Sequence, residues 1–231
     1  MPLLQHALIF TTLSLFLATA ALAQVGQVEA GVQIGPSLSW LRGNRVIDGT
    51  DALLGPAAAL SIQFGLTDQL GLRTGVGYQR KGTRSLVLFT DANGTTLAEG
   101  DLLCTYDYLV IPVMLRASFG SKARLLVGLG PYAGFLIKSQ YLFTGVGTFP
   151  SIETTDDHTA WDAGVSASVG GSIHLGAKLS LQAEVRYDKG LTNISALPVI
   201  DDGSIRTNAV AFLVGCGYLF GGSIKHPPAV P

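Results

Sequence analysis

The sequence is short of charge and nearly devoid of cysteine. Only 13% of its 231 residues are Asp, Glu, Lys or Arg, against 48% that are hydrophobic. A soluble domain carries roughly twice that charge. A net charge of −1 provides no basic field for a nucleic-acid partner. The two cysteines, Cys104 and Cys216, show no metal-ligand or redox spacing, so neither a metal nor a cofactor is expected. Long hydrophobic runs are missing beyond one at the N-terminus, whereas a helical membrane protein needs several of about 20 residues. Yet the mean hydropathy is +0.40 and 29 residues are glycine. The apolar residues are therefore dispersed, as they are in the strands of a membrane barrel.

The one long run, residues 7–23 (ALIFTTLSLFLATAALA), ends in the small-residue pattern Ala21-Leu22-Ala23. It reads as an export signal over residues 1–23, cleaved after Ala23, although no Lys or Arg precedes it. No cysteine stands directly after the cleavage site, so a lipoprotein anchor is not expected.

The dominant signal further along is alternation with period two. Val32, Ile34 and Trp40 share one face of 28–40, and Glu29, Gln33 and Ser37 share the other. Leu60 and Ile62 oppose Ser61 and Gln63, and Leu72 and Tyr78 oppose Arg73 and Gly77. Val127 and Leu129 oppose Arg124 and Gly128, while Trp161, Val165 and Val169 oppose Asp162, Ser166 and Ser168. Leu181, Val185 and Tyr187 alternate with Gln182, Glu184 and Arg186. Phe212, Val214, Tyr218 and Phe220 alternate with Ala211, Gly215 and Gly217. The segment 106–117 is apolar on both faces. There Ile111 is placed outward and Val110, Met114 and Arg116 inward, and Pro112, which has no N–H to give a ladder, predicts a bulge.

Eight strands result, within 28–40, 56–66, 70–78, 106–117, 124–137, 161–175, 179–187 and 210–220. Their connections alternate between tight turns (67–69, 119–123, 176–178) and long polar segments (42–54, 81–104, 138–160, 188–205). Asn93-Gly94 inside the second long segment predicts a hairpin rising above the membrane. This is the plan of a single eight-stranded antiparallel up-and-down transmembrane β-barrel over residues 24–220, all-β, with both termini periplasmic. Residues 221–231 are expected to form a short disordered periplasmic tail.

Hydrogen bonding explains why such a sheet must close. Lipid offers no partner to backbone N–H and C=O groups, and an open edge costs several kcal/mol per group. Charged residues on the polar face, if turned to lipid, would cost about 2–4 kcal/mol each when basic and near the midplane. Glu29, Arg73, Arg116, Arg124, Asp162, Glu184 and Arg186 are therefore assigned to an interior charge network, which fills a narrow lumen and fixes register. Trp40, Tyr78, Trp161, Tyr187, Tyr218 and Phe220 lie near strand ends, where interface aromatics belong. A soluble lipocalin-like barrel or sandwich would show the same alternation turned inside out. The Gly/Ser content of the minor face, the scarcity of charge and the asymmetry of connections favour the membrane reading. The two cysteines fall near opposite ends of this barrel, so no disulfide joins them.

Several segments carry a family resemblance: Tyr108-Leu-Val-Ile-Pro-Val-Met-Leu, Val127-Gly-Leu-Gly-Pro-Tyr-Ala-Gly, Asp162-Ala-Gly-Val-Ser-Ala-Ser-Val-Gly-Gly, Leu181-Gln-Ala-Glu-Val-Arg-Tyr-Asp-Lys-Gly-Leu-Thr-Asn-Ile and Val214-Gly-Cys-Gly-Tyr-Leu-Phe. Through them, residues 28–220 resemble the outer-membrane β-barrel domain family of the porin or PorT-like type, abundant in Bacteroidota. The resemblance implies the barrel fold and an outer-membrane location, and no assigned activity. It also implies an inward Glu at Val110, whose absence would leave Arg116 without an adjacent partner.

Three motifs are candidates for chemistry. Asp156-Asp157-His158 reads as a solvated loop, since a zinc site wants more N or S ligands. His174 with Ser172 or Ser180 lacks a third group to orient a nucleophile. Gly128, Gly130 and Gly134 follow strand periodicity and no helix follows, so they bind no phosphate. The expected protein is non-enzymatic, embedded in outer-membrane lipid, with a filled polar lumen and four long extracellular loops that offer a surface to another envelope protein. A component of an envelope secretion or assembly machine, PorT-like, and a narrow small-solute channel are the alternatives.

Overall fold

Nine strands and two short helical turns make up the computed structural model, which describes residues 27–145, 149–199 and 203–220. The strands are β1 (Val28–Arg42), β2 (Asp51–Gly65), β3 (Leu70–Thr90), β4 (Thr96–Gly120), β5 (Ala123–Thr144), β6 (Ile152–Glu153), β7 (Trp161–Leu175), β8 (Leu179–Gly190) and β9 (Arg206–Phe220). All except the two-residue β6 form one antiparallel ring in the order β4-β3-β2-β1-β9-β8-β7-β5, closed by β4 pairing with β5. The expected signal peptide and C-terminal tail lie outside the described residues.

The seam between chain ends is long. β1 pairs with β9 from Val28↔Phe220 to Arg42↔Arg206. The tight turns at 66–69, 121–122 and 176–178 lie at the same end as Val28 and Phe220, and the long connections lie at the other. Gly176 adopts φ +80° in one of these turns, a left-handed conformation that glycine enters without steric penalty.

Alternation in sequence becomes inside and outside in the ring. Ile34, Leu60 and Leu129 are 60% exposed or more, while Gln33, Gln79 and Asp162 are 2% exposed or less. A soluble barrel would show the reverse, so the greasy stripe faces outward.

The long connections are shorter than the sequence suggests, because strands run on past the apolar belt. The segment expected as loop 81–104 is a hairpin of β3 and β4, paired out to Thr90↔Thr96. Its turn is closed by the Asp91 carboxylate, which accepts from Asn93 N–H (2.9 Å) and Thr95 N–H (2.8 Å). β5 likewise continues to Thr144, and β8 to Gly190. Between β1 and β2, Asn44 caps the helical turn α1 (Arg45–Asp48), its Oδ1 accepting from Val46 and Ile47 N–H, each at 3.0 Å.

The expected bulge at Pro112 is absent. Pro112 stays in register opposite Tyr132, and its carbonyl accepts the Thr74 hydroxyl at 3.0 Å. On the β4–β5 ladder the irregularity lies between Asp107 and Tyr108, which pair with Lys138 and Leu136 and leave Ile137 as the extra residue.

Candidate functional site

The lumen holds two polar clusters, one above the other. In the first, Glu184 of β8 reaches across to the opposite wall. Its Oε2 accepts Arg73 Nη1 of β3 and Arg116 Nη2 of β4, each at 2.6 Å. Two guanidinium groups on one carboxylate leave surplus positive charge, which neutral acceptors share. Gln33 Oε1 and Ser61 Oγ accept from Arg73, and Gln63 Oε1 accepts from Arg116 at 3.2 Å. The Arg116 partner missing at Val110 is thus supplied by Glu184, and Val110 itself is buried in an apolar cluster. Toward the short-turn end, Glu29 accepts from the Gln182 amide and from Ser180 Oγ at 3.3 Å. Arg124, partly buried near that end, has an Nε with no hydrogen-bond partner among the described residues. A cavity of about 20 Å³ beside Arg73, Met114, Glu184 and Arg186 has room for about one water.

The second cluster centres on a residue expected in the 81–104 loop. Lys81 of β3 is fully buried and lies 3.0 Å from Asp162 Oδ2 of β7. Its ammonium also donates to Tyr132 Oη and Thr207 Oγ1, each at 3.2 Å. Thr207, Tyr132 and Thr192 complete the shell by donating to Asp162 at 2.7, 3.0 and 2.9 Å. The Lys81 ammonium also sits 4.5 Å from the Tyr132 ring centroid and 5.4 Å from that of Tyr108, within cation–π range. The signal was present: Lys81 continues the inward parity of Arg73, Gly77 and Gln79. Asp188, likewise read as loop, faces Arg186 Nε at 3.4 Å without hydrogen-bond geometry, and its Oδ1 accepts Ser166 Oγ at 2.5 Å.

Above these clusters the mouth is apolar. Leu41, Tyr106, Tyr108, Val110, Tyr132 and Ile194 form one buried cluster, with Ile47 of α1 and Ile205 packed against it. Ile194 comes from the β8–β9 connection and is held by two backbone bonds. Its N–H donates to Ile205 O and its carbonyl accepts Thr159 N–H, both at 2.8 Å. The Asp156-Asp157-His158 motif is a structural turn: Thr155–Asp157 form a 3-10 helix, and His158 Nδ1 lies 2.8 Å from Thr154 O. The His158 ring meets Tyr106 edge-on at 4.8 Å. Ser180, weighed as a nucleophile beside His174, has its hydroxyl engaged with Glu29. Among the described residues no three His, Cys, Asp or Glu side chains converge to hold a metal.

On the outer wall, Val32, Ile34, Leu60, Ile62, Val127 and Leu129 are exposed, as are Val165, Val169, Leu181, Val185, Phe212 and Val214. Leu72 and Ile111 point outward but are half-buried by neighbours. An open, apolar depression of about 830 Å³ runs over this wall between the Val32–Cys216–Leu181–Ile173 row and the next, outside the lumen. At the short-turn end Tyr218 and Phe220 meet edge-on at 4.9 Å. At the long-loop end Trp40 stacks on Tyr187 at 6.3 Å, Trp161 is exposed, and Tyr78 donates to Asp107 Oδ1 at 2.6 Å. Arg80 grips the same carboxylate at 2.7 and 3.0 Å, and Lys138 stands opposite it in register. These outward charges mark the upper limit of the apolar belt.

The two cysteines are free. Cys104 packs against the mouth cluster, and Cys216 lies on the outer wall. Burial pushes the Cys104 thiol up to about 11.

Residues 20–196 match the family described as "Outer membrane protein beta-barrel domain". Similar solved structures include Ail, the attachment invasion locus protein of Yersinia pestis, at 14% identity and a TM-score of 0.42 over 84% of this chain and 99% of that one. Neisserial surface protein A is similar at 13% identity and a TM-score of 0.46, over 83% of this chain and 97% of that one. OprG of Pseudomonas aeruginosa is similar at 14% identity and a TM-score of 0.43, over 85% and 97%. No curated protein matches the chain.

Proposed function

The chain belongs to the outer membrane protein beta-barrel domain family, and from that premise we propose that it is a closed, non-catalytic barrel whose long-loop end binds another protein at the cell surface. It sits in the lipid of the bacterial outer membrane. In this reading the short-turn end with both barrel termini is periplasmic, the leader over residues 1–23 is removed in export, and the aromatics at both wall ends rest at the lipid boundaries.

The observation that carries the reading is the double block of the lumen. The Glu184–Arg73–Arg116 bridge and the Lys81–Asp162 pair cross an interior only eight strands around, under a mouth sealed by Ile194 and Tyr106. Eight strands leave just enough room for such side chains and little for a solute. A conduit would have to break buried ion pairs, each costly to leave half-formed. What remains available is the surface of the long-loop end.

Planar-bilayer recording of the purified protein tests this. The expected result is a silent bilayer at high protein load. Reproducible unit conductance steps would dismiss the closed barrel and restore the small-solute channel.

A further inference from the structure

β3 outlasts its neighbour. Its pairing with β2 ends at Asp51↔Arg84, while its pairing with β4 continues to Thr90↔Thr96. Ser85–Thr90 therefore has one edge bonded to β4 and, among the described residues, no strand on the other. Alternate residues of a strand turn both N–H and C=O to the same edge, so this stretch presents a row of unpaired backbone groups.

Its position puts that edge in water. Arg80, Asp107 and Lys138 close the apolar belt, and Thr90 lies ten residues beyond Arg80, about 33 Å along an extended strand. There β3, β4 and β5 form a three-stranded wing, with β5 paired to β4 as far as Thr144↔Asp101. The inner face of the wing is covered by its own aromatics: Phe149 stacks on Phe89 at 5.9 Å and tilts against Phe143 at 5.8 Å. The outer face is not covered. Leu86 and Leu88 point away from the barrel and are 63% and 51% exposed.

A strand that is free along one edge, uncharged in the sequence SLVLFT, and furnished with two exposed leucines is an unusual thing to leave bare. Native sheets protect such edges with charge, proline or a covering segment, or else use them to bind. Charge on the wing indicates which kind of strand would fit. Between residues 84 and 105 there is one base, Arg84, against three acids, Asp91, Glu99 and Asp101. Arg84 is already paired with Asp101 at 2.9 Å. Asp91 at the end of the open edge, with Glu99 opposite Leu88 on the neighbouring β4, therefore leaves the wing net negative, which repels a second copy of the same wing and attracts a basic segment.

We propose that the β2-side edge of Ser85–Thr90 is a strand-addition site for an extended segment of another protein, with apolar side chains at every second position and basic residues at its ends. The segment continues the sheet where β2 leaves off, and its apolar side chains lie beside Leu86 and Leu88. This deepens the surface-binding reading above, from which it takes only the long-loop end as the contact end.

The test uses the full chain in lipid nanodiscs and a synthetic probe, the capped heptapeptide Lys-Leu-Thr-Leu-Thr-Leu-Lys. Amide hydrogen exchange within 85–90 is expected to slow at least tenfold at alternate positions when the peptide is added. The same peptide N-methylated along its pairing edge is expected to give no slowing, and a version with Glu ends to bind at least tenfold more weakly. A Leu86→Ser, Leu88→Ser double variant, whose backbone edge is intact, is expected to lose at least fivefold in affinity. Unchanged exchange with the unmethylated probe, or equal binding by the methylated one, overturns the proposal. So does protection that appears without peptide and grows with protein concentration, which would make a second copy the occupant. A silent bilayer with no protection sinks the edge site alone, and conductance steps with protection sink the closed barrel alone.

Discussion

Lys81 and Asp162 face each other at 3.0 Å across the lumen, and neither side chain touches solvent. A charge so buried is tolerable only while its partner and hydrogen bonds persist, because the interior cannot replace the water it has lost. Removing one partner is therefore a sharper perturbation than removing both.

Asp162→Ala is expected to destabilise the barrel by about 3–5 kcal/mol, since it strands the Lys81 ammonium. The double variant Lys81→Met, Asp162→Leu should recover most of the loss. Urea unfolding in detergent, followed by the gel shift between folded and heated forms, reads both. Equal losses in single and double variants would show that the pair is not what the cluster depends on.

The outer wall gives a prediction with opposite logic. Val127→Arg places a charge among exposed apolar residues, where a basic residue near the bilayer midplane costs about 2–4 kcal/mol. Ser168→Asn, inward on β7 opposite Gly128 and next to the Val169 that pairs with Val127, should cost far less. Folding yield into lipid vesicles at increasing urea compares them. If the arginine is tolerated as well as the asparagine, the wall does not face hydrocarbon.

Thiol chemistry separates the two cysteines. With the Cys104 pKa up to about 11, about one thiol in a thousand is ionised at pH 8, and only the thiolate reacts. Alkylation of Cys104 by a water-soluble maleimide should be slow at pH 8 and accelerate about tenfold per pH unit toward its pKa. Cys216, on the outer wall, should be labelled instead by a lipid-soluble reagent. Fast aqueous labelling of Cys104 at neutral pH would mean that the mouth cluster opens.

Asp91 supplies the pH-dependent feature of the wing. The Thr95 N–H, with help from that of Asn93, holds its carboxyl below the usual aspartate range. A depressed pKa means that the turn gains from the charged form above the ordinary aspartate pKa and loses that gain as pH falls through the lowered value. Carboxyl NMR titration should give a midpoint below that of a free aspartate, with the Thr95 amide shift moving in step. A midpoint at the ordinary value would detach the turn from this carboxylate.

How much of this was legible follows from particular residues. Trp161–Leu175 was read at its observed boundaries, since every second residue there is small or polar and no neighbour confuses the pattern. Arg73, Arg116, Glu184 and Asp162 were read as inward from parity alone. Lys81 and Asp188 were not, although both continue that parity. They follow the last outward aromatic of their strands, Tyr78 and Tyr187, beyond which water is expected to replace lipid and alternation loses its apolar partner. The wing escaped for the same reason: above the belt a strand need not be greasy on one side, and only the Asn93-Gly94 turn marked it. Which charges meet was also illegible. Glu184 joins residues 111 and 68 positions away, and such distances are set by ring closure rather than by local spacing. Ile194, the stopper of the mouth, lies in a segment with no periodicity to read.

The β1–β9 seam has a consequence for biogenesis. First and last strands are neighbours, so a polypeptide truncated before Arg206 would expose the bare flanks of β1 and β8 to hydrocarbon along their whole height. Insertion is for that reason an all-or-none event: nothing short of the entire cylinder is a viable resident of the bilayer, and the final strand to leave the export machinery is the one that makes every earlier strand permissible.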